Sequence, residues 1–166
     1  MMRNASRVLL LALGNDLLSD DAVAFHAARR IHARGLLGVD VIESGEAGFA
    51  LLELITGYSR VIIIDALHSL HYPAGSIVQF SDKDFAATAS PSPHYAGLPD
   101  LRRLAQTMGI PYPEHIGIIA MEVEDPYTIA EKLTNPVQHA LPAFVDAIID
   151  AIVEGPVRQR VSKAMA

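Results

Sequence analysis

The segment VLLLALGNDLLSDDAVAFHAARR, residues 8–30, decides the fold class of this chain of 166 residues. Its first six residues form an unbroken apolar run, which is typical of a β-strand covered on both faces of a sheet. The run stops at Gly14-Asn15, and residues 20–33 then place apolar side chains four apart, as an amphipathic helix does. A buried strand that leads through a short turn into a helix predicts an α/β protein.

The same order of strand and helix continues along the chain. The composition and periodicity of residues 39–43 and 60–66 predict two further buried strands, with a helix in residues 47–58 between them. This βαβαβ order predicts a parallel sheet with right-handed crossovers and helices on both faces. Residues 76–82 predict a strand that follows after only a short turn. We expect it to be antiparallel, because a parallel return requires a long crossover.

The remaining periodic segments add two helices and a strand. Residues 98–109 predict a helix and residues 115–123 predict a strand. The last helix begins at Asn135-Pro136, as cap and first residue, or somewhat later, because Pro142 would lie inside it and kink it.

We therefore predict a three-layer α/β/α sandwich with a mostly parallel five-stranded central sheet, one strand antiparallel. Residues 83–96 have no clear period, and an aperiodic loop of this length is usually functional or disordered. We expect residues 1–153 to form a single domain and residues 154–166 to form a flexible C-terminal tail.

Composition limits the classes of partner. The formal net charge is −6 and no basic stripe is present, so we expect no nucleic-acid partner and no membrane partner. The chain has no cysteine, which excludes disulfides and thiolate metal sites. The apolar run at residues 8–13 is too short for a signal peptide, and no stretch approaches the roughly 20 apolar residues of a membrane span. We expect a cytoplasmic protein and, since no apolar helix face is left over, a monomer.

Three side chains are the candidates for chemistry. In an open α/β sheet, ligands bind beyond the carboxyl ends of the strands. Asp21 follows the first strand, Asp65 ends the third, and His94 lies in the aperiodic loop. Carboxylate and imidazole groups suit borderline divalent metals such as zinc or nickel. The same groups could instead form an acid–base pair oriented by a carboxylate.

Each candidate also has an ordinary structural interpretation. Ser19 is a favoured helix N-cap, and Asp20 and Asp21 in the first turn would complement the helix dipole. His94 lies among serines and prolines, where a surface histidine without a function is common. Asp65 is harder to explain in this way, because a charge directly after a buried apolar run is costly unless it is paired or at the rim. Among the other histidines, His68 is the least certain to be only structural or solvated.

The sequence speaks against two common functions, nucleotide binding and serine hydrolysis. The turn ALGNDLLSDDA has one glycine where a dinucleotide fingerprint needs three, and the chain has no phosphate-binding G-x-x-x-x-G-K-[ST] motif. Acids at the start of the helix would also repel a pyrophosphate. No serine lies in a G-x-S-x-G elbow, so a serine hydrolase is unsupported.

Three blocks of the sequence, taken together, resemble the hydrogenase maturation endopeptidases. The blocks are VLLLALGNDLLSDDAVA (8–24), ESGEAGFALLELITGYSRVIIIDAL (43–67) and SPHYAGLPDL (92–101). The corresponding family patterns are G-N-x-L-x-x-D-[DE]-x-x-G after a strand, D-G-G-T-x-G with a later strand ending in D-A, and S-x-H-x-x-G-L. The resemblance covers about residues 7–153.

The resemblance implies a fold, an activity and a site. Members of the family have a three-layer α/β/α domain with a largely parallel sheet, and they remove a C-terminal extension from the precursor of the nickel–iron hydrogenase large subunit after nickel insertion. The family's metal-binding residues correspond to Asp21, Asp65 and His94, which are therefore also the catalytic candidates. The implied metal is nickel supplied by the substrate, and zinc or cadmium could replace it in a crystal. Whether a carboxylate or a metal-bound water performs the chemistry stays open.

The departures from the family pattern concern substrate choice. The family's D-G-G-T-x-G is here Glu43-Ser44-Gly45-Glu46-Ala47-Gly48, Ala24 replaces a frequent glycine, and Asp21 stands where glutamate is also common. Neither of the last two changes removes a ligand. The implied substrate-binding residues are Asn15, Glu43, Ser44, Gly45 and Glu46.

Three hypotheses of function follow. The leading one is the hydrogenase-processing endopeptidase with the precursor as its partner. The second is a non-catalytic nickel- or precursor-binding maturation chaperone, which would release no peptide. The third is a general metal-dependent hydrolase of small molecules, which predicts a deep apolar pocket instead of an open cleft.

Overall fold

The computed structural model of the protein describes residues 4–86, 94 and 97–163. Within these residues, six strands form one sheet in the order β2-β1-β3-β5-β4-β6. The strands are β1 Asn4–Leu13, β2 Val39–Ser44, β3 Tyr58–Leu67, β4 Ile77–Ser81, β5 His115–Glu122 and β6 Arg160–Ser162. The helices are α1 Val23–Ala33, α2 Ala50–Ile55, α3 Leu98–Met108 and α4 Asn135–Glu154.

The strand directions confirm the predicted fold class. Strands β1, β2, β3 and β5 are parallel to one another, and β4 is antiparallel to both of its neighbours, β5 and β6. One strand of the sheet therefore opposes the rest, as expected. The predicted number of strands was one too low, because β6 lies in the segment expected to be a tail.

Alternating side chains of the central strands build two cores, one on each face of the sheet. Leu9 and Leu11 of β1 belong to the core beneath α2 and α3, whereas Leu10 and Ala12 belong to the core beneath α1 and α4. All four side chains have no exposed surface. This alternation follows from the period-2 geometry of a strand covered on both faces, and it produces the three layers.

Helix α4 begins at Asn135 and runs through Pro142, so it does not start later as the proline had suggested. By length and composition alone this 20-residue helix could cross a membrane, which corrects the expectation that no stretch approaches a span. Its packing explains its apolar composition, because one face is buried in the core beside α1. The buried residues are Val137, Leu141, Phe144, Val145, Ile148 and Ala151.

The segment after α4 packs on the sheet and is not a free tail. Strand β6 pairs with β4, with Gln79 opposite Arg160. The side chain of Val157 occupies the space above Gly117 in β5, where a Cβ atom would approach it to less than 3.0 Å. Strand β6 has only three residues, and all of them are exposed. Because its sequence shows no alternation of apolar and polar residues, the hydrophobic pattern did not predict it. The last part of the predicted tail, residues 164–166, lies outside the described residues.

The carboxyl ends of the parallel strands share one edge of the sheet. Leu13 at the end of β1 pairs with Ser44 at the end of β2, and Asp65 near the end of β3 pairs with Ala120 of β5. We call this edge the rim. Because these ends coincide, residues that follow β1, β2 and β3 come close together although they are distant in sequence.

Candidate active site

Asp65 is a fully buried carboxylate (0% exposed) near the end of β3. Its Oδ1 accepts a hydrogen bond of 2.8 Å from the backbone N–H of Ala66. Its Oδ2 lies 2.8 Å from Nδ1 of His94; an ionised Asp65 can only accept this hydrogen bond, with Nδ1 of His94 as the donor. A buried charge requires partners of this kind, since burial without them is costly.

His94 is brought to the rim from the aperiodic loop. Residues 87–93 and 95–96 of that loop lie outside the described residues. For this part of the loop, the predicted functional role can therefore be compared with the structure only at His94. Its side chain is 28% exposed. The hydrogen bond to Asp65 raises the pKa of His94, burial acts in the opposite direction, and the negative charges of Asp65 and Asp21 raise the pKa further. The imidazole is therefore held by a buried carboxylate and is readily protonated.

Asp21 lies in the 3₁₀ turn Ser19–Ala22 between β1 and α1. Burial raises the pKa of Asp21, and the negative charge of Asp65 raises it further, whereas His94 and the backbone N–H of Asn15 lower it. These interactions require Asp21 to lie within electrostatic reach of both other residues. The structure thus brings together Asp21, Asp65 and His94, which come from three separate segments.

The arrangement observed is a hydrogen-bonded pair with a second acid beside it. Among residues 4–86, 94 and 97–163, no group of three or more histidine, aspartate and glutamate side chains is already spaced to hold a metal ion. Asp65 and His94 are joined to each other instead. An imidazole oriented by a carboxylate is suited to proton transfer. The same oxygen and nitrogen atoms are suited to bind a divalent metal if the hydrogen bond between Asp65 and His94 is replaced by bonds to the metal.

Gly14 allows the turn that carries Asp21 to close. A Cβ atom at position 14 would lie well under 3.0 Å from the backbone carbonyl oxygen of Asp21, and the φ angle of Gly14 is +155°. The backbone of Asp21 therefore packs directly against position 14. Only glycine permits this approach without moving the turn.

The interpretation of Ser19 as a helix cap was wrong, and Asp20, although it lies in the first turn of the 3₁₀ helix, directs its carboxylate to other partners. Within the part of the chain that the structure describes, no side chain caps the 3₁₀ turn or α1. Ser19 Oγ donates to the carbonyl of Lys132 (2.8 Å), and Asp20 is fully buried with hydrogen bonds from Glu124, Asp125 and Thr134. These partners are more than a hundred residues away in sequence, so a local pattern could not indicate them.

The predicted substrate-binding residues line the rim beside Gly14, and several of them have partners of their own. Asn15 is exposed, and its Oδ1 accepts from the N–H of Leu17 (2.9 Å). The carbonyl of Ser44 accepts from the N–H of Gly14 (3.3 Å), and Gly45 lies beside the Gly14 carbonyl. The Ser44 hydroxyl accepts from the N–H of Glu46 (3.1 Å).

Arg29 was not predicted as part of this region. Its guanidinium donates to both carboxylate oxygens of Glu43 (2.9 and 2.7 Å) and to both of Asp16 (3.1 and 2.7 Å). Arg29 thereby links the turn after β1 to the end of β2. The side chain that replaces the family's aspartate, Glu43, is engaged in this ion pair.

His68 has a structural environment. Its Nδ1 lies 3.2 Å from the carbonyl oxygen of Val123, and its ring meets the Tyr127 ring edge-on at 5.4 Å. These contacts hold the segment after β3 to the segment after β5, and they agree with the structural interpretation of His68.

Comparisons with known proteins assign this fold to a functional class. The hydrogenase maturating endopeptidase HybD from Escherichia coli superposes with a TM-score of 0.74 at 24% identity, covering 92% of this chain and 96% of that chain. The NiFe hydrogenase maturation protease HybD from Thermococcus kodakarensis superposes with a TM-score of 0.69 at 26% identity, covering 88% and 99%. The three-layer fold is thus one found in peptidases of hydrogenase maturation.

Sequence comparisons define the family. The family model described as hydrogenase maturation protease matches residues 23–151. The hydrogenase 2 maturation protease of Escherichia coli is 26% identical over 162 residues, which are 93% of this chain and 98% of that protein. The hydrogenase expression/formation protein HupD of Rhizobium leguminosarum bv. viciae is 27% identical over 149 residues, covering 87% and 73%. The chain belongs to the hydrogenase maturation protease family and is a peptidase.

Proposed function

We propose that this peptidase removes the C-terminal extension of a nickel–iron hydrogenase large-subunit precursor after nickel has been inserted. The observation that carries the proposal is the convergence of Asp21, Asp65 and His94 at the rim of a maturation-protease fold. The relatives named as hydrogenase maturation proteases support the class of substrate. An acid beside an oriented imidazole supports a catalytic function over a purely binding one.

Nickel enters this proposal as part of the substrate. The two carboxylates and the imidazole supply oxygen and nitrogen donors, a set that suits a borderline divalent metal. In the precursor, nickel would bring its own ligands and leave few positions for the protease. A nickel-loaded precursor can then satisfy the charges of Asp21 and Asp65 better than a nickel-free one, which would make cleavage depend on nickel insertion.

The side chains also provide for the movement of protons in peptide hydrolysis. Water adds its oxygen to the scissile carbonyl carbon, the C–N bond breaks, and a proton must reach the departing amine. His94, oriented by Asp65, can take the proton from water and deliver it to the amine. Asp21 is close enough to influence both groups, since their charges affect its pKa. In this scheme Asp21 contacts the nickel of the precursor and His94 does not, because an imidazole nitrogen that binds nickel cannot take up the proton.

The test compares precursor prepared with nickel and precursor prepared without it. Each is incubated with the wild-type protein, and intact-mass spectrometry follows the large subunit and the released peptide. We expect a shortened subunit and one C-terminal peptide from the nickel-loaded precursor only. A binding chaperone would associate with the precursor and release no peptide. Equal cleavage of both precursors would retain the peptidase and reject recognition of nickel.

A further inference from the structure

Asp20 lies fully buried directly before Asp21, and its carboxylate accepts four hydrogen bonds. Oδ1 accepts from the backbone N–H of Thr134 (2.7 Å). Oδ2 accepts from the backbone N–H groups of Glu124 (3.1 Å) and Asp125 (2.9 Å) and from the hydroxyl of Thr134 (2.8 Å). Four donors on two oxygens match an ionised carboxylate, which can only accept.

All four donors belong to one segment, residues 123–134, which joins β5 to α4. We call it the β5–α4 loop. Backbone hydrogen bonds reinforce the same contact: the N–H of Asp20 donates to the Asp125 carbonyl (3.0 Å), that of Ser19 to the Ala130 carbonyl (2.8 Å), and that of Ala130 to the Leu17 carbonyl (3.1 Å). The turn that carries Asp21 is therefore attached along its length to the β5–α4 loop.

This attachment holds a turn that the local sequence would not adopt alone. Ser19 has φ +38°, an unfavourable conformation for a residue with a side chain, and no side chain caps α1. On the opposite side, the Asp21 carbonyl packs against Gly14. Asp21 is thus fixed between Gly14 and the residue that anchors the turn.

We propose that Asp20 is a positioning residue of the peptidase: by anchoring the turn after β1 to the β5–α4 loop, it sets the place of Asp21 relative to Asp65 and His94. Asp20 does not touch the substrate and acts through Asp21. The effect on cleavage rests on the proposed function, whereas the effect on the position of Asp21 does not.

The substitution Asp20→Asn tests the proposal with almost no change of shape. In either amide orientation, the new NH₂ group faces at least one N–H donor of the β5–α4 loop. The anchor therefore loses the Thr134 N–H bond in one orientation and the Glu124 and Asp125 N–H bonds in the other. Because a displacement of about 1 Å can cost on the order of 100-fold in rate, we expect kcat for precursor cleavage to fall by about 10- to 100-fold. KM should stay within about twofold of the wild-type value.

The control is Asp125→Asn, the same chemical change within the same loop. The Asp125 carboxylate accepts from the backbone N–H groups of Tyr127 and Thr128 and from the Thr128 hydroxyl, all within the β5–α4 loop. Only the backbone of Asp125 bonds to Asp20, and the substitution does not change that backbone. We expect wild-type kcat for this variant. A folded Asp20→Asn variant with wild-type kcat, or a rise in KM alone, would overturn the proposal.

A second pair of variants serves if Asp20→Asn does not fold. Thr134→Val removes one of the four hydrogen bonds, whereas Thr134→Ser retains the hydroxyl. We expect an intermediate loss of kcat for Thr134→Val and recovery to near the wild-type value for Thr134→Ser. Equal kcat for these two variants would contradict a positioning role.

Amide NMR spectra provide a measurement that does not depend on cleavage. Relative to wild type, Asp20→Asn should shift the signals of Asn15 and Asp65, which are not its neighbours in the chain. Asp125→Asn should shift signals of the β5–α4 loop and of its backbone partner Asp20 and leave those of Asn15 and Asp65 in place. If wild type cleaves no precursor but these shifts occur, the proposed function fails and the positioning of Asp21 stands. If the shifts in Asp20→Asn do not reach Asn15 and Asp65, the positioning fails.

Discussion

The substitution Gly14→Ala should disturb the site through one defined collision. The added Cβ would lie well under 3.0 Å from the Asp21 carbonyl oxygen, whereas a normal carbon–oxygen contact is about 3.3–3.6 Å, so the turn must move by about 1 Å. Forcing a group into a packed region costs about 1–3 kcal/mol, and the glycine-favouring φ angle of +155° adds about 1–3 kcal/mol. We expect the free energy of unfolding to fall by about 2–6 kcal/mol.

The same displacement moves Asp21 away from Asp65 and His94. We expect cleavage of nickel-loaded precursor to slow by about 100-fold, beyond any decrease in the folded fraction. Urea denaturation gives the free energy of unfolding, and single-turnover cleavage under conditions where the variant is folded gives the rate.

Gly38→Ala is the matched control for Gly14→Ala. Gly38 has φ +75°, but a Cβ there would meet nothing within 4 Å. It therefore carries only the backbone cost of about 1–2 kcal/mol and should cleave at the wild-type rate. The reasoning is refuted if Gly14→Ala matches Gly38→Ala in both stability and cleavage.

Two further predictions concern pH and the C-terminal segment. Because the hydrogen bond to Asp65 raises the pKa of His94 above 6.5, the stability that this pair contributes is present below pH 6.5 and is lost as the pH rises through the raised value. Urea denaturation at several pH values should show this loss in wild type and not in Asp65→Asn; the same pH dependence in both would contradict the assignment. Gly117→Ala should destabilise the protein by about 1–3 kcal/mol because its Cβ meets Val157, and Val157→Ala should restore part of that loss in the double variant. Additive effects of the two substitutions in thermal unfolding would show that the segment does not pack there.

The strand–helix order was predictable because each central strand is a continuous apolar run between turn residues. The runs at residues 8–13 and 61–64 lie in the buried parts of β1 and β3, and alternation within them sends side chains to both cores. Strand β6 was not predictable, because three exposed residues at the sheet edge carry no periodic signal.

Part of the site was predictable, because the carboxyl ends of parallel strands meet at one edge of the sheet. The structure brings Asp21, Asp65 and His94 together, and the rule for parallel sheets accounts for Asp21 and Asp65. His94 follows the antiparallel strand β4, whose carboxyl end lies at the opposite edge of the sheet, so the rule alone could not place it. The function of Asp20 was not predictable in the same way. Its position at a helix start suggested a local effect on the dipole, but its partners lie on the β5–α4 loop, 104 to 114 residues further along the chain. Only the folded packing distinguishes a buried acceptor from a solvated one.

The three-residue site is tested most directly by single-turnover cleavage of nickel-loaded precursor by Asp21→Asn, Asp65→Asn and His94→Ala, each confirmed to be folded. A positioned base contributes about 10²–10⁴-fold to a hydrolysis rate, so we expect each variant to lose at least about 100-fold, while Thr134→Ser and Asp125→Asn cleave at the wild-type rate. Cleavage at the wild-type rate by all three variants would contradict the assignment of the active site.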